Sequence, residues 1–282
     1  MNLSIRALTI ADIGAADQIL GAAFRTADSR RPELQRYLGL QPEGWFVAEA
    51  DGKLVGTVGA VDFGTFAYLG LMAVDPAMQR RGIARALMQH VLARLDARNC
   101  PSVLLDASVY GAPLYRSLGF VDEGQVHVYE NNTPQRFPNL PAGVTRLVEN
   151  DLPSLVAFDT PIFGTARRNV LRAYLTDLPD RAFIMRSASG RITGFVFAQP
   201  SRIGPWVAEN SDDAEKLLRA ALSVDCDPIV RVLVPSPNPA AVDLLARYGF
   251  RFARSQTHMR RGEKYPTRQR ELIFGQASFA IG

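Results

Sequence analysis

Residues 72–88 read MAVDPAMQRRGIARALM, from Met72 to Met88, and the order of residue types restricts what this stretch can build. The apolar run up to Val74 is strand-like, and Asp75-Pro76 ends it, because proline has no N–H to give to a ladder. Beyond it Ile83, Leu87, Val91 and Leu95 recur at helical spacing, so a helix begins near Gly82. A helix start presents backbone N–H groups without intrahelical partners at the positive end of the helix dipole, and an anion complements both. Gly82 and Ala84 keep that approach free of bulk, while Arg80, Arg81 and Arg85 add positive charge. A basic, solvated first turn is the competing reading. It is the weaker one, since cations at a helix start oppose the dipole when nothing is bound. The stretch therefore reads as a cradle for a diphosphate.

Neither G-x-G-x-x-G nor G-x-x-x-x-G-K-[ST] occurs, so the common dinucleotide and nucleoside-triphosphate loops are excluded and another phosphate-bearing cofactor is required. Val74-Asp-Pro76 followed by Gln79-Arg-Arg-Gly82-Ile-Ala84 resembles the signature of the GNAT superfamily of N-acetyltransferases, a V-x-P strand end and then Q/R-x-x-G-x-G/A. Tyr115-Arg-Ser-Leu-Gly119-Phe120 is similar to that family's second hallmark, Y-x-x-x-G-F. The resemblance covers residues 1–130 and implies acetyl-CoA as co-substrate, without a metal. It implies that the backbone of Met72, Ala73 and Val74 pairs with the pantetheine arm and that Gln79, Arg80, Arg81, Gly82, Ile83, Ala84 and Arg85 hold the pyrophosphate. It also implies that Tyr115 protonates the departing thiolate. Two positions depart from the family pattern. Ser108 stands where many members carry an asparagine seven residues before the tyrosine, and Gly111 stands where alanine is frequent.

Acetyl transfer to an amine requires the neutral amine, yet an alkylamine such as lysine has a pKa of about 10.4, so a base or a desolvating site must take its proton. Asp106 at a strand end, with Glu49 and Asp62 in earlier strands, are the candidate carboxylates, and a water could serve instead. Tyr68 and Tyr110 are candidates to line the acceptor site, although either could be a packing aromatic. His90, His127 and His258 are scattered along the chain and read as poor candidates.

At 282 residues the chain is long for one domain, and it repeats itself. Ile5 to Ile13 falls over Val144 to Leu152, each ending in an aspartate and a helix start. Tyr68-Leu-Gly70 falls over Arg202-Ile-Gly204, and Tyr115 to Phe120 over Leu245 to Phe250. Residues 131–143, NNTPQRFPNLPAG, contain three prolines and read as a linker. The expected organisation is a catalytic domain at 1–130, the linker at 131–143 and a degenerate copy at 144–282. The fold class is α/β (α+β), each copy a mixed, mostly antiparallel sheet flanked by helices. This layout resembles a subgroup of bacterial tandem GNAT proteins with one active and one degenerate copy.

In the second copy Glu209, Asp212, Asp213 and Glu215 replace the arginines, no glycine turn is present, Pro205 removes a strand N–H, and Leu245 replaces the tyrosine. That copy is expected not to bind acetyl-CoA and to form the acceptor side, with Asp159, Phe163, Arg167 and Arg168 as substrate contacts, and Ile273 to Gly282 as an additional strand. Its chemistry would repel a diphosphate.

Composition fits an ordinary globular protein, with 47% hydrophobic and 21% charged residues. The formal charge of +4 comes without a basic run, which argues against nucleic acid. Cys100 and Cys226 are too few for a disulfide framework, and no apolar run reaches the length of about 18 residues that a membrane span needs. The opening MNLSIRALTI lacks the features of a secretory signal, so the cytosol is the expected compartment. The leading expectation is an N-acetyltransferase acting on a small-molecule or peptide amine, as a monomer or homodimer, with neither nucleic acid nor membrane as partner. An acyl-CoA sensor without catalysis and an aminoacyl transferase are the alternatives. The second would favour a large basic surface, which this chain lacks.

Overall fold

Two aspartates, Asp12 and Asp151, at matching places in the two repeats start the helical parts in the same way. Thr9 N–H donates to Asp12 Oδ2 at 2.8 Å and Val148 N–H donates to Asp151 Oδ2 at 3.0 Å, closing a turn that leads directly into a helix. An arginine fastens each turn to the sheet, Arg6 to Asp12 at 2.7 Å and Arg186 to Asp151 at 2.6 Å.

The computed structural model describes residues 2–264 and 269–282. The first half runs β1 (Leu3–Ala7), α1 (Ile13–Phe24), α2 (Arg31–Leu40), β2 (Trp45–Ala50), β3 (Lys53–Asp62), β4 (Ala67–Val74), α3 (Ile83–Ala97), β5 (Ser102–Ala107), α4 (Ala112–Arg116) and β6 (Val121–Asn131). The second half repeats this order as β7 (Val144–Arg146), α5 (Leu152–Phe163), α6 (Arg168–Asp177), β8 (Ala182–Arg186), β9 (Ile192–Gln199), β10 (Arg202–Ala208), α7 (Ser211–Ala221), β11 (Val230–Pro235), α8 (Pro239–Arg247) and β12 (Arg251–Gly262), and adds β13 (Ile273–Gly275). No helix or strand lies between Asn131 and Val144.

All strands join one mostly antiparallel sheet in the order β1-β2-β3-β4-β5-β12-β6-β11-β10-β9-β8-β7, with β13 beside β10. Its centre is an exchange between the halves. β12, from the second half, lies between β5 and β6 of the first, and β6 lies against β11. Each half thus completes the other's sheet.

The repeat is visible in the packing as well as the order. Gly56 of β3 lies under α3, where an added Cβ would sit 2.9 Å from Leu87 Cδ1. Gly194 of β9 lies under α7, where it would sit 2.8 Å from Leu217 Cδ1. Both halves need a glycine there because the helix crosses close to the strand. Each half also carries a bulge at matching positions. Ala67 and Leu69 face α3 before it and Met72 and Val74 after it. In β10 Ile203 faces α7 before it and Trp206 and Ala208 after it. The change of parity is the mark of one extra residue, at Gly70-Leu71 and at Gly204-Pro205.

Three main cores result. One, on the α3 and α4 face, holds Leu87, Val91, Leu105 and Phe120, with Met259 from β12 among them. A second packs α7 and α8 on β9 to β11. The third joins α1, α2, α5 and α6 with both halves of the sheet and encloses Ala277, Ala280 and Ile281. Ile13, Ala16 and Leu20 are buried in it as their spacing predicts, whereas Phe24, at the end of α1, is exposed. The segment read as one strand from Ile273 to Gly282 is a strand only to Gly275. From there it turns out of the sheet and runs into the shared core.

Candidate functional site

β4 and β5 pair in parallel at Ala67↔Val103 and Tyr68↔Leu104 and then part, so that β4 continues to Val74 and β5 to Ala107 with a gap between them. The bulge sits on the β4 edge of this gap, with Leu71 held at a φ of 50°, a left-handed value that few non-glycine residues adopt. Beyond it Ala73 and Val74 resume pairing with β3, at Thr57 and Gly56, one residue out of the earlier register and beside the gap.

The chain then turns through a short 3₁₀ segment at Pro76–Met78, capped by Asp75, whose carboxylate accepts from Ala77 N–H at 2.9 Å. Gln79 Nε2 donates back to Val74 O at 3.2 Å and ties the loop to the strand end. Arg80 and Gly82 both have left-handed φ, 61° and 81°, and Gly82 is the N-cap of α3 without any side-chain cap. The first helical hydrogen bond is Ala86 N–H to Gly82 O, at 3.0 Å. Among the described residues, nothing accepts from the N–H groups of Arg81, Gly82, Ile83, Ala84 and Arg85. A Cβ on Gly82 would meet no atom within 4 Å, so the protein's own packing does not demand glycine there. Backbone conformation does, and an approaching ligand gains the space. Arg80 and Arg81 are exposed, and Arg85 is steered towards α4 by a 2.9 Å bond from Nη2 to Ser117 Oγ. This set of unpartnered donors and three guanidinium groups fits the pyrophosphate of a coenzyme A.

Tyr115 stands on α4, 9% exposed, edge-on to Phe120. Burial pushes its phenol up to about 12, so the O–H keeps its proton across the neutral range. It makes no hydrogen bond among the described residues. Gly111 explains one departure from the family pattern: an added Cβ would lie 2.9 Å from Tyr115 Cε2, so alanine would crowd the ring. Ser108, the other departure, is used in the turn before α4, where its Oγ accepts from Gly111 N–H at 3.1 Å. Tyr110 is 91% exposed on the same loop.

On the sheet face opposite α3, the gap is bordered by a buried polar group that unites Tyr68 and Asp106. Tyr68 O–H donates to Asp106 Oδ2 at 2.6 Å. His258, brought by β12 to the position opposite Asp106, bonds Asp106 Oδ1 through Nδ1 at 2.8 Å. Its Nε2 lies 3.1 Å from Arg270 Nη1. A guanidinium can only donate, so Nε2 accepts and Nδ1 carries the hydrogen given to Asp106. Gln276 Nε2 completes the group, donating to Tyr68 Oη at 3.3 Å. Sequence reasoning set His258 aside with the other histidines. His127 bonds Ser255 and His90 packs edge-on to Phe46, but His258 belongs to the site, and only knowledge that β12 pairs with β5 could have found it.

Of the remaining candidates, Phe163 packs in one apolar cluster with Tyr68, and the others stand outside the polar group. Glu49 is engaged by Arg6 at 2.6 Å and Asp62 by Arg98 at 2.9 Å. Asp159 is buried with both oxygens taken by Arg167, at 2.7 and 2.8 Å, beneath a guanidinium stacked 3.8 Å over Phe163. Arg168, beside it, is exposed at the start of α6.

The matching place in the second half differs at each point that matters. α7 begins at an Asn210 N-cap whose side chain accepts from Asp213 N–H at 2.9 Å, so the helix start has a side-chain cap that α3 lacks. β10 and β11 pair at Arg202↔Arg231 and then part like β4 and β5, but β13 fills that gap, pairing Trp206↔Gly275 and Val207↔Ile273. Among the described residues no group of histidine, cysteine and carboxylate side chains has a metal-binding arrangement, and no helix is long and apolar enough to cross a membrane.

Comparison with known proteins finds a related domain in each half. The profile of the "Acetyltransferase (GNAT) family" matches residues 15–120, and that of the "Acetyltransferase (GNAT) domain" matches residues 155–275. An uncharacterized N-acetyltransferase, YitH of Bacillus subtilis, is 28% identical over 204 residues, 71% of each chain. The holothin acyltransferase of a Pseudoalteromonas species is 25% identical over 256 residues, 89% of this chain and 85% of that one. Among solved structures, a putative acetyltransferase from Pyrococcus horikoshii superposes with a TM-score of 0.87 at 27% identity, covering 99% of this chain and 96% of the other.

Proposed function

We propose, on the premise that this chain belongs to the GNAT acetyltransferase family as two such domains in tandem, that its first half transfers an acetyl group from acetyl-CoA to a primary amine. The observation that carries the proposal is the row of unpartnered N–H groups from Arg81 to Arg85, at the end of a strand gap that also exposes the β4 edge. Gln79 to Arg85 would hold the pyrophosphate, and the edge from Met72 to Val74 would hold the pantetheine arm. Acetyl-CoA would supply the activated thioester.

Tyr115 is the proton source for the leaving sulfur, because its buried phenol retains a proton and has no competing partner. Asp106, Tyr68 and the residues of the second half border the same gap from the acceptor face. The amine is a small molecule or a peptide, and the compartment is the cytosol, as the two unpaired cysteines favour. The second half binds no acetyl-CoA in this reading. An acyl-CoA sensor is the second reading, supported by the engagement of every candidate carboxylate, Asp106 included, in existing bonds.

Free-thiol release from acetyl-CoA, followed across a panel of amines, amino acids, polyamines and peptides, separates the two. Transfer is expected with at least one acceptor, and Tyr115→Phe is expected to lower turnover about 100- to 10,000-fold with acetyl-CoA affinity retained. Saturable acetyl-CoA binding with no release from any acceptor would leave the sensor; undiminished turnover in Tyr115→Phe would remove the tyrosine from the chemistry.

A further inference from the structure

The segment from Arg270 to Ala280 is anchored in the second half and delivered to the first. β13 occupies the gap between β10 and β11, and its neighbours fix it on both sides. Gln276 N–H donates to Leu233 O at 2.8 Å, Asn238 Nδ2 to Ile273 O at 2.9 Å, and both Gln199 Nε2 and Arg202 Nη1 to Ala277 O, at 3.0 and 2.9 Å. A Cβ on Gly204 would overlap Gln276 O. Further on, Ala280 lies so close over Gly70, at the bulge of the first half, that a Cβ on Gly70 would overlap its backbone. So the equivalent glycines of the two copies are both crossed by this one segment.

What it delivers is polar and incompletely bonded. Gln276 is 3% exposed, and its Oε1 has no hydrogen-bond partner among the described residues, although its Nε2 is used on Tyr68. Arg270 Nη2 is buried without a partner among the described residues, although Nη1 is used on His258. Gln256 Oε1 is a third such atom, on the same face of β12 as His258 and just past the last residue of β5 that β12 pairs with. Buried polar atoms are nearly always bonded, and three in one neighbourhood call for a ligand. Gln276 and Arg270 are each two hydrogen bonds from Asp106, at the gap where transfer takes place.

We propose that Gln276, Gln256 and Arg270 of the second half recognise the acceptor of the first, the glutamine oxygens accepting from its amine and the guanidinium donating to a carboxylate on the same molecule. The acceptor class is therefore a small amine that carries a carboxylate. This rests on the acetyltransferase reading and gives the second half its task, since a filled gap holds the recognition groups in place.

The test is steady-state kinetics of acetyl transfer to matched amines with and without a carboxylate, for the unaltered protein, Gln276→Leu, Gln276→Glu and Gln256→Leu, each checked for folding by thermal melting. The unaltered protein is expected to prefer the amino carboxylate. Gln276→Leu, or Gln256→Leu if the former does not fold, is expected to raise the acceptor KM about tenfold or more while the acetyl-CoA KM stays within about twofold. Gln276→Glu, which keeps an accepting oxygen, is expected to lose less. Transfer that ignores the carboxylate, or an unchanged acceptor KM in folded variants, overturns this inference and leaves the acetyltransferase reading standing. Absence of transfer by the unaltered protein to any amine overturns that reading and this one with it.

Discussion

Residues 1–131 expressed without the rest of the chain are expected not to fold. The exchange at the centre of the sheet sets the size of the effect. Without the second half β5 loses its antiparallel partner over the six positions from Thr257↔Ala107 to Gly262↔Ser102, and β6 loses both neighbours. At roughly 1 kcal/mol net per backbone hydrogen bond and about one bond per pair, the β5 edge alone forfeits about 6 kcal/mol. Removal of fully buried Met259 from the α3 core takes about 2 kcal/mol more. The sum, about 8 kcal/mol, matches the entire stability of an ordinary domain, roughly 5–15 kcal/mol. The assay compares circular dichroism melts and amide dispersion of residues 1–131 with those of the whole chain, and of the chain cut by an inserted protease site within residues 132–143. The cut chain is expected to stay associated and to melt in one transition. A monomeric 1–131 fragment that melts cooperatively near the temperature of the whole chain would refute the reasoning, since β6 would then have found a place beside β5 unaided.

Three further outcomes follow from single sites. Gly82→Ala meets no neighbour and is expected to cost only about 1 kcal/mol of stability, from its φ of 81°, yet to weaken acetyl-CoA binding about tenfold or more by calorimetry; unchanged affinity would dismiss the cradle. Gly70→Val collides with Ala280 and is expected to cost about 3 kcal/mol or more in denaturant unfolding, and a melt like that of the unaltered protein would show that the segment does not pack there. Asp12 is held below the usual carboxylate range, chiefly by its hydrogen bonds from Arg6, so its contribution to stability is present above its unfolded pKa of about 3.9 and is lost as pH falls below that value. Urea unfolding of the unaltered protein and Asp12→Asn should therefore differ at pH 6 and converge towards pH 2, and a constant difference would remove the ion pair as its cause.

The features legible from sequence are those whose geometry is decided within a few residues. The turn from Val74 to Ala84 is one, because proline, glycine and the first helical residues set it locally. The paired aspartates Asp12 and Asp151 are another, each closing its own turn. The motif singles out Tyr115, and Gly111 becomes intelligible only with the ring beside it. The strand exchange left no local trace. β12 alternates in the same way whether its neighbour is β6 alone or β5 as well, so nothing near His258 announces Asp106, which is far away in sequence. Asp159 shows the same limit from the other side. Its spacing suits a helix surface, and only the fold brings Arg167 back over it to bury both.

The filled gap of the second half has a consequence for the history of the chain. A duplicated copy that loses a binding loop by point substitution can regain it the same way. Here β13 and the residues after it fill the gap between β10 and β11, and Ile273, Phe274, Ala277 and Ile281 are core. Placing glycine and arginine near Asn210 would therefore open no gap until that segment was expelled, and its expulsion would unpack both halves. Substitutions at the start of α7 alone therefore leave the gap closed, and selection can change this copy only as part of the whole molecule.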